Sequence, residues 1–467
     1  MALIFEQLLT KELGDASYLI GDDAARIAAV VDPQVDVEQY MALARKHGLS
    51  IKYVVQTHIH EDFVSGAVAL AQEAAGAEVC VSGHDAPDYG YPHRRVHEAD
   101  VLELGSVLLV VKHTPGHTPE HLSLLVAKAA QKEAPFAVLS GGSLLAGAAG
   151  RTDLLGPDRL EELTRAQFHT LHDFYLGLED GVLVYPTHVH GSPCGAAIGD
   201  RLCSTIGYER AHNELLQHRD EASFRSAALN KLPPKPRHYP RLKERNTNAP
   251  PRTGGPAPVP ALTPAEFKDA LAGDAVLVDT RHMLAFGGGH IAGAVNLGAS
   301  GALSLQAGWM LDAGKPLLLV LESDAQLASV VHDFARTGFD RFSGYLAGGM
   351  SAWQNEGYGI EALPQLHVDQ LAAKAAQSQG SVIDVRSAQE WEQGHVPGAR
   401  HIFLPELPAV LDTLDKRRSW AVYCDSGYRA SLGASLLQSH GFDVSNVPGS
   451  WQAWTALDLP IERPQKT

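Results

Sequence analysis

The second half of this 467-residue chain repeats itself, and no other feature limits its architecture as tightly. VLVDTRHMLAFGGGHIAGA aligns with SVIDVRSAQEWEQGHVPGA, so that Asp279 and Arg281 match Asp384 and Arg386, and His290 and Gly293 match His395 and Gly398. The spacing from aspartate to histidine is eleven in both copies. Further on, GFDRFSGYLAGGMSAW matches GFDVSNVPGSWQAW and sets Trp353 opposite Trp454. A repeat of roughly 100 residues, alternating short apolar runs with helix-like stretches, predicts two copies of one doubly wound α/β fold.

Ahead of the repeat, residues 1 to 230 alternate apolar runs (SYLI, IAAVVD, IKYVVQT, VLLVVKHT, FAVLS, GVLVYPT) with stretches such as VDVEQYMALARKHG. This reads as a further set of α/β layers. Between the two halves, at residues 232–262, proline and glycine are dense enough to exclude regular structure. The aromatic and basic first part, through Asn248, is expected to pack back on the domain before it. The expected organisation is a domain over 1–248, a linker over 249–260, and the two copies over 261–360 and 361–467.

Charge and cysteine content narrow the function classes. With 38 basic against 54 acidic residues the net charge is −16, which argues against nucleic acid or an anionic membrane as partner. No apolar run reaches the roughly 18–20 residues of a membrane span. The opening MALIFEQLLTKELGD carries Glu6 and no basic region, so it does not read as a secretory leader, and a cytoplasmic location is expected. The four cysteines, Cys80, Cys194, Cys203 and Cys424, are too few and scattered for a disulfide framework.

Cys424 ends the apolar run SWAVY, and the loop Cys424-Asp-Ser-Gly-Tyr-Arg429 leads into RASLGASLLQSHGF, which predicts a helix starting near Tyr428. A strand, a tight loop and a helix start surround the sulfur with backbone N–H groups and the positive end of a helix dipole. Arg429 adds a cation, so the thiol is expected to ionise readily. Ser426 and Gly427 fall where a persulfide or oxyanion would be held. The Asp-x-Arg pair, the Gly-His-x-Pro-Gly-Ala run, the cysteine loop and the closing PGSWQAW together resemble the rhodanese family over roughly 364–461. Related phosphatases place five residues between cysteine and arginine to admit a phosphate, whereas four stand here, which favours sulfur transfer. Asp425 opposes an anionic donor such as thiosulfate. In the preceding copy, LLLVLESDAQLAS sets Glu322 at the cysteine position and Leu327 at the arginine position, so that copy is read as structural or docking, with Arg281 and His290 as fold residues.

The first domain carries a different chemistry. IKYVVQTHIHEDFVSG places His58, His60 and Asp62 on alternate positions after a buried strand, and HTPGHTPEH supplies His117. Imidazoles grouped at strand ends suit a metal, with His58, His60 and His117 as a three-nitrogen cluster and His188 of PTHVHGSPCG as a fourth histidine.

These motifs resemble the metallo-β-lactamase superfamily over about residues 10–230, and their order, ending in GRTDLLG and YPTHVHGSPCG, looks most like the persulfide dioxygenases, a group also fused to rhodanese domains. The resemblance implies an αββα sandwich with one Fe(II) per chain held by two histidines and an aspartate, a small-molecule thiol persulfide of the glutathione type as substrate, sulfite and thiol as products, and a homodimer. His58 and His117 match the two histidines, and Arg151, Asp153 and Tyr185 fall where that family positions substrate and the residues that support the metal ligands. Two departures stand out. Phe63 replaces a histidine of the dinuclear members, so a single metal is expected. The family's Thr-Gly-Asp is Ser140-Gly141-Gly142, so its carboxylate ligand is gone; either His60 or Asp62 compensates, or water fills the position, or the metal is lost. The alternatives are a mononuclear zinc hydrolase with Asp62 orienting water, and a sulfurtransferase or carrier whose first domain is a metal-free scaffold with Cys424 as the sole chemistry.

Overall fold

The computed structural model describes residues 3–230, 232–248, 258–299, 302–377 and 380–464. Two compact units divide at the Pro/Gly-rich stretch, and most of the linker expected at 249–260 lies outside the described residues.

In the first unit, one six-stranded sheet runs in chain order from Leu3–Thr10 through Asp15–Asp22, Ile27–Val31, Ser50–Val55 and Glu78–Ser82 to Arg94–Val96. The other orders Ser204–Thr205, Leu183–Pro186, Ala137–Gly141, Leu122–Lys128, Val107–His113 and Val101–Glu103. Strand side chains alternate between faces, and here both faces are covered. Tyr18, Ile20, Val31, Val55, Leu109 and Leu124 fill the layer between the sheets. Their neighbours Leu19, Val30 and Val54 point outward against Tyr40 and Leu70 of the helices Glu38–His47 and Ala67–Glu73. On the far side Val138 and Val184 meet Leu171, Tyr175 and Phe224. This is the αββα sandwich expected.

One expectation fails in this unit. The stretch after residue 232 was predicted to lack regular structure, yet Tyr239–Asn248 is a helix whose Tyr239 and Leu242 are buried. The prolines Pro233, Pro234 and Pro236 all precede it, and Pro240 sits in its first turn, where the missing N–H has no helical partner to lose. Asn246 of this helix donates to the carbonyls of His60 and Phe63, both at 2.8 Å, so the segment does pack on the first domain and buttresses the histidine loop.

The second unit holds two parallel sheets. The first copy orders Ala261–Leu262, Phe342–Leu346, Leu317–Val320, Val276–Asp279 and Val295–Asn296; the second orders Arg400–His401, Val382–Asp384, Ser419–Tyr423 and Asp443–Asn446. The repeated motifs do the same structural work in each. Arg281 and Arg386 chelate Asp279 and Asp384 and donate to Gly289 O and Gly394 O, each at 2.8 Å. The rings of His290 and His395 stack on Phe286 and Trp391. Residues of both copies, from Phe267 to Val444, join in one apolar core. No helix among the described residues is long and apolar enough to cross a membrane.

Strand pairing corrects one detail. Asp279 lies opposite Val320 and Asp384 opposite Tyr423, so the residue after Val320, Leu321, holds the cysteine position, rather than Glu322. Two more residues separate strand from helix in the first copy, and an ungapped alignment through that loop slips by one. Leu321 is buried at 1 % exposure and cannot attack or bind an anion.

Candidate metal centre and cysteine loop

Every histidine of the first unit's cluster sits where a strand stops. His58 and His60 follow Ser50–Val55, His117 lies in the turn between Val107–His113 and Leu122–Lys128, and His188 follows Leu183–Pro186. These loops meet at one rim of the sandwich. One potential ligand nitrogen each from His58, His117 and His188 lies within 4.8 Å of the others, and the Nε2 atoms of His58 and His188 stand 3.4 Å apart. All three residues are buried, at 4, 1 and 0 % exposure.

The partners of each ring fix which nitrogen it turns to the centre. Thr57 Oγ1 donates to Asp32 Oδ2 at 2.8 Å and therefore accepts from His58 Nδ1 at 2.8 Å. The carbonyl of Arg151 accepts from His117 Nδ1 at 2.8 Å. His188 Nδ1 faces Asp15 Oδ1 at 2.9 Å and Asp62 Oδ2 at 3.1 Å. Each Nδ1 is engaged, so each ring presents Nε2 to the centre, as in metal sites whose ligand imidazoles are oriented from behind. Burial, reinforced by the other imidazoles, lowers the proton affinity of His58 and of His117 well below the ordinary range. At His188 burial is outweighed by Cys194, Asp62 and Asp15, which raise its proton affinity; anionic surroundings of that kind equally favour a metal cation on Nε2. Burial and the adjacent Asp62 push Asp15 up, whereas at Asp62 burial yields to His188, which holds that carboxyl low. This donor set fits a metal-binding site.

The other residues singled out from the sequence fall in several places. His60 does not join the three-nitrogen group; it lies with Asp62 and His188 in a second one, its Nε2 3.1 Å from Asp32 Oδ1 and its ring stacked on Phe63 at 4.3 Å. The Arg151 guanidinium is occupied by Asp153 at 2.7 and 2.8 Å and by Pro193 O at 3.0 Å. Tyr185 packs on Phe5 and Tyr18, at ring distances of 4.5 and 5.8 Å, and burial raises its hydroxyl to about 12. Sequence reading passed over Asp15, Asp32 and His121. His121 Nδ1 meets Thr114 Oγ1 at 2.8 Å and Nε2 accepts from Gly142 N at 2.9 Å, so this ring holds the glycine loop. Its position four residues after His117, on the same turn, was the available signal.

In the second unit Cys424 follows the strand Ser419–Tyr423 and is 1 % exposed. Gly427 N donates to its Sγ at 3.1 Å. Gly427 has φ 113°, where a side chain would be strained, and a Cβ there would press on Met283 Sδ at 2.9 Å. Ser426 accepts from Gly449 N through its carbonyl at 3.1 Å. Asp425 is engaged by Gln452 at 2.7 Å. Arg429 donates to both carboxylate oxygens of Glu390, at 2.8 and 2.6 Å. Burial raises Glu390, but the Arg429 hydrogen bonds and charge outweigh it and bring the carboxyl down to about 2. Ser426, Tyr428 and Arg429 open onto a cleft of about 420 Å³ whose other wall is Leu305, Trp309 and Met310 of the first copy.

Comparison with known proteins supports both kinds of domain. The metallo-beta-lactamase superfamily model matches residues 12–128, and the rhodanese-like domain model matches 263–356 and 367–457. The mitochondrial persulfide dioxygenase ETHE1 of Bos taurus is 25 % identical over 191 residues, which cover 40 % of this chain and 70 % of the relative. The putative sulfurtransferase YtwF of Bacillus subtilis (strain 168) is 37 % identical over 79 residues, 17 % of this chain and 77 % of the relative. A crystal structure of a metallo-beta-lactamase from Staphylococcus aureus subsp. aureus COL superposes with a TM-score of 0.67 at 29 % identity, covering 74 % of this chain and 99 % of that one.

Proposed function

The chain belongs to the metallo-beta-lactamase superfamily through its first unit and to the rhodanese-like family through both copies of its repeat, and from that premise we propose an enzyme of persulfide metabolism with two chemistries. The first unit oxidises a small-molecule thiol persulfide, and Cys424 carries sulfane sulfur. The observation that carries this reading is the pairing, in one chain, of a buried imidazole group suited to one metal with a thiol that accepts from the N–H of Gly427.

The oxidation is RSSH + O₂ + H₂O → RSH + SO₃²⁻ + 2H⁺. Its terminal sulfur loses four electrons, which both oxygen atoms of O₂ take up. Fe(II) is the metal proposed; bound there, it would supply the redox chemistry that brings a persulfide sulfur and dioxygen together. His58 and His117 belong to its ligand set. Arg151 positions His117 through its carbonyl, and Asp153 fixes Arg151. Asp62 acts on His188 Nδ1 in company with Asp15. Phe63, stacked on His60, occupies the place of a further ligand, which favours one metal over the pair used by many hydrolases.

At the second site the Cys424 thiolate attacks the terminal sulfur of RSSH. The S–S bond breaks, the sulfane sulfur joins Cys424 as a persulfide, and RS⁻ leaves. Gly427 N–H stabilises the charge on sulfur in both states, while Ser426 and Tyr428 line the approach.

The test is an oxygen-electrode assay of anaerobically iron-loaded, full-length protein with glutathione persulfide, with sulfite measured alongside. One O₂ consumed per sulfite formed is expected. No oxygen uptake above that of the metal-free protein with any thiol persulfide would end the dioxygenase reading.

A further inference from the structure

We propose that His188 supplies the third ligand that Gly142 cannot, so that the metal is held by a face of three neutral imidazoles, His58, His117 and His188, and that this face selects an anionic sulfur ligand. The inference rests on reading the cluster as the metal site, and it concerns which residues complete it.

Space is the first argument. A Cβ built on Gly142 would lie 2.4 Å from His117 Cδ2, 2.8 Å from His117 Nε2 and 3.1 Å from His188 Cδ2. A side chain at 142 would have to displace the His117 ring and press on that of His188, so the glycine is what lets both rings stand where they do. Gly142 N, donating to His121 Nε2 at 2.9 Å, pins the backbone in this position.

Orientation is the second. Asp15 and Asp62 both sit against His188 Nδ1, which turns Nε2 toward His58 at 3.4 Å. Two carboxylates behind one imidazole are more support than a core histidine needs, and they match the carboxylate–histidine–metal arrangement that raises ligand basicity. The same contacts weigh against the group of His60, Asp62 and His188 as an equal alternative. Asp62 is drawn to His188 Nδ1 at 3.1 Å, and the Nε2 of His60 stands 3.1 Å from Asp32 Oδ1, a carboxylate outside that group.

Charge follows from composition. Replacing a carboxylate by an imidazole leaves the face with one negative charge less. A divalent metal on it would have no anionic protein ligand, Asp15 and Asp62 acting only through His188, and would favour a persulfide or thiolate sulfur over a neutral carbonyl or ester.

The experiment loads full-length wild type, His188→Ala and His60→Ala with Co(II) under anaerobic conditions and reads metal per chain, affinity against a competing chelator, and the visible Co(II) spectrum. His188→Ala is expected to lose at least about tenfold in affinity with an altered spectrum, while His60→Ala stays within about threefold of wild type. Wild-type affinity and spectrum in His188→Ala, or a larger loss in His60→Ala, overturns the proposal. Should His188→Ala fail to fold, the wild type still decides: pulsed EPR of its Cu(II) form counts bound imidazoles by their remote nitrogens, three supporting the proposal and two overturning it. None of these readouts depends on oxygen uptake, so the ligand set and the dioxygenase activity stand or fall separately.

Discussion

Arg429 lies fork to fork with Glu390, its two terminal nitrogens 2.8 and 2.6 Å from the carboxylate oxygens. The cation at the end of the cysteine loop is thus already neutralised, and what remains to hold charge on Cys424 is the loop's own N–H at Gly427. Glu390 in turn closes a capping box with Ser387 at the start of the helix Ala388–Gln393, so the loop arginine is anchored to the element that follows the Asp384–Arg386 motif.

That pair predicts an acid limb. The Glu390 carboxyl is brought from 4.5 to about 2 in the folded protein. A lowered carboxyl adds stability that is complete above about pH 4.5 and disappears as pH falls toward 2. Glu390→Gln should cost on the order of 2 kcal/mol at pH 7, allowing for the pair's partial exposure, and should make stability less dependent on pH between 5 and 3. Denaturant melts of both proteins across that range check it. An acid limb unchanged by the substitution would mean that the pair contributes nothing.

Cys424→Ser should separate the two chemistries. Sulfur transfer from a persulfide to an acceptor thiol is expected to fall at least about 100-fold, because a neutral hydroxyl is a far weaker nucleophile than a thiolate. Oxygen uptake by the iron-loaded protein is expected to persist. Parallel assays of sulfane transfer and oxygen consumption on one preparation decide the matter; equal loss of both would place Cys424 on the oxidation route.

The copy without a cysteine walls the reactive one. Trp309, from the first copy, meets Phe403 of the second edge-on at 5.8 Å across the cleft that Ser426, Tyr428 and Arg429 also line. Trp309→Ala should weaken binding of a thiol carrier with an apolar arm by roughly tenfold, about 1.4 kcal/mol, seen as a rise in KM with kcat nearly unchanged. A fall in kcat at constant KM would assign the residue to the cysteine loop's geometry instead.

Several of these features could be read from the chain because they are local. The Asp-x-Arg pairs close on themselves within three residues, and the cysteine loop is continuous from Tyr423 to Arg429, so sequence order nearly dictates geometry. Features that depend on distant contacts were out of reach. Asp15 approaches His188 across 173 positions, and nothing in the local sequence of either residue announces it. Tyr185 stands beside the right motif, but strand alternation carries its ring to Phe5 and Tyr18. The slip from Leu321 to Glu322 arose in a loop two residues longer than its counterpart, where only the pairing of Val320 with Asp279 fixes the register. The helix Tyr239–Asn248 was hidden by prolines that in fact lie before it or in its first turn.

Gly142 provides the most direct check on how the metal centre is built. If a carboxylate had merely been lost there, Gly142→Asp would restore it and tighten metal binding. The geometry predicts the opposite, because the added Cβ would stand 2.4 Å from His117 Cδ2 and 3.1 Å from His188 Cδ2. Even Gly142→Ala must displace the His117 ring, itself tied to Arg151 O at 2.8 Å, and strain of this kind in a packed interior costs about 1–3 kcal/mol. Both variants are expected to bind less metal per chain than wild type and to melt at lower temperature, Asp more so than Ala because it also brings a charge into a buried site. Metal analysis and thermal melts of the three proteins check the order. A Gly142→Asp protein with more metal than wild type would show that the imidazoles give way and that the site still accepts a carboxylate.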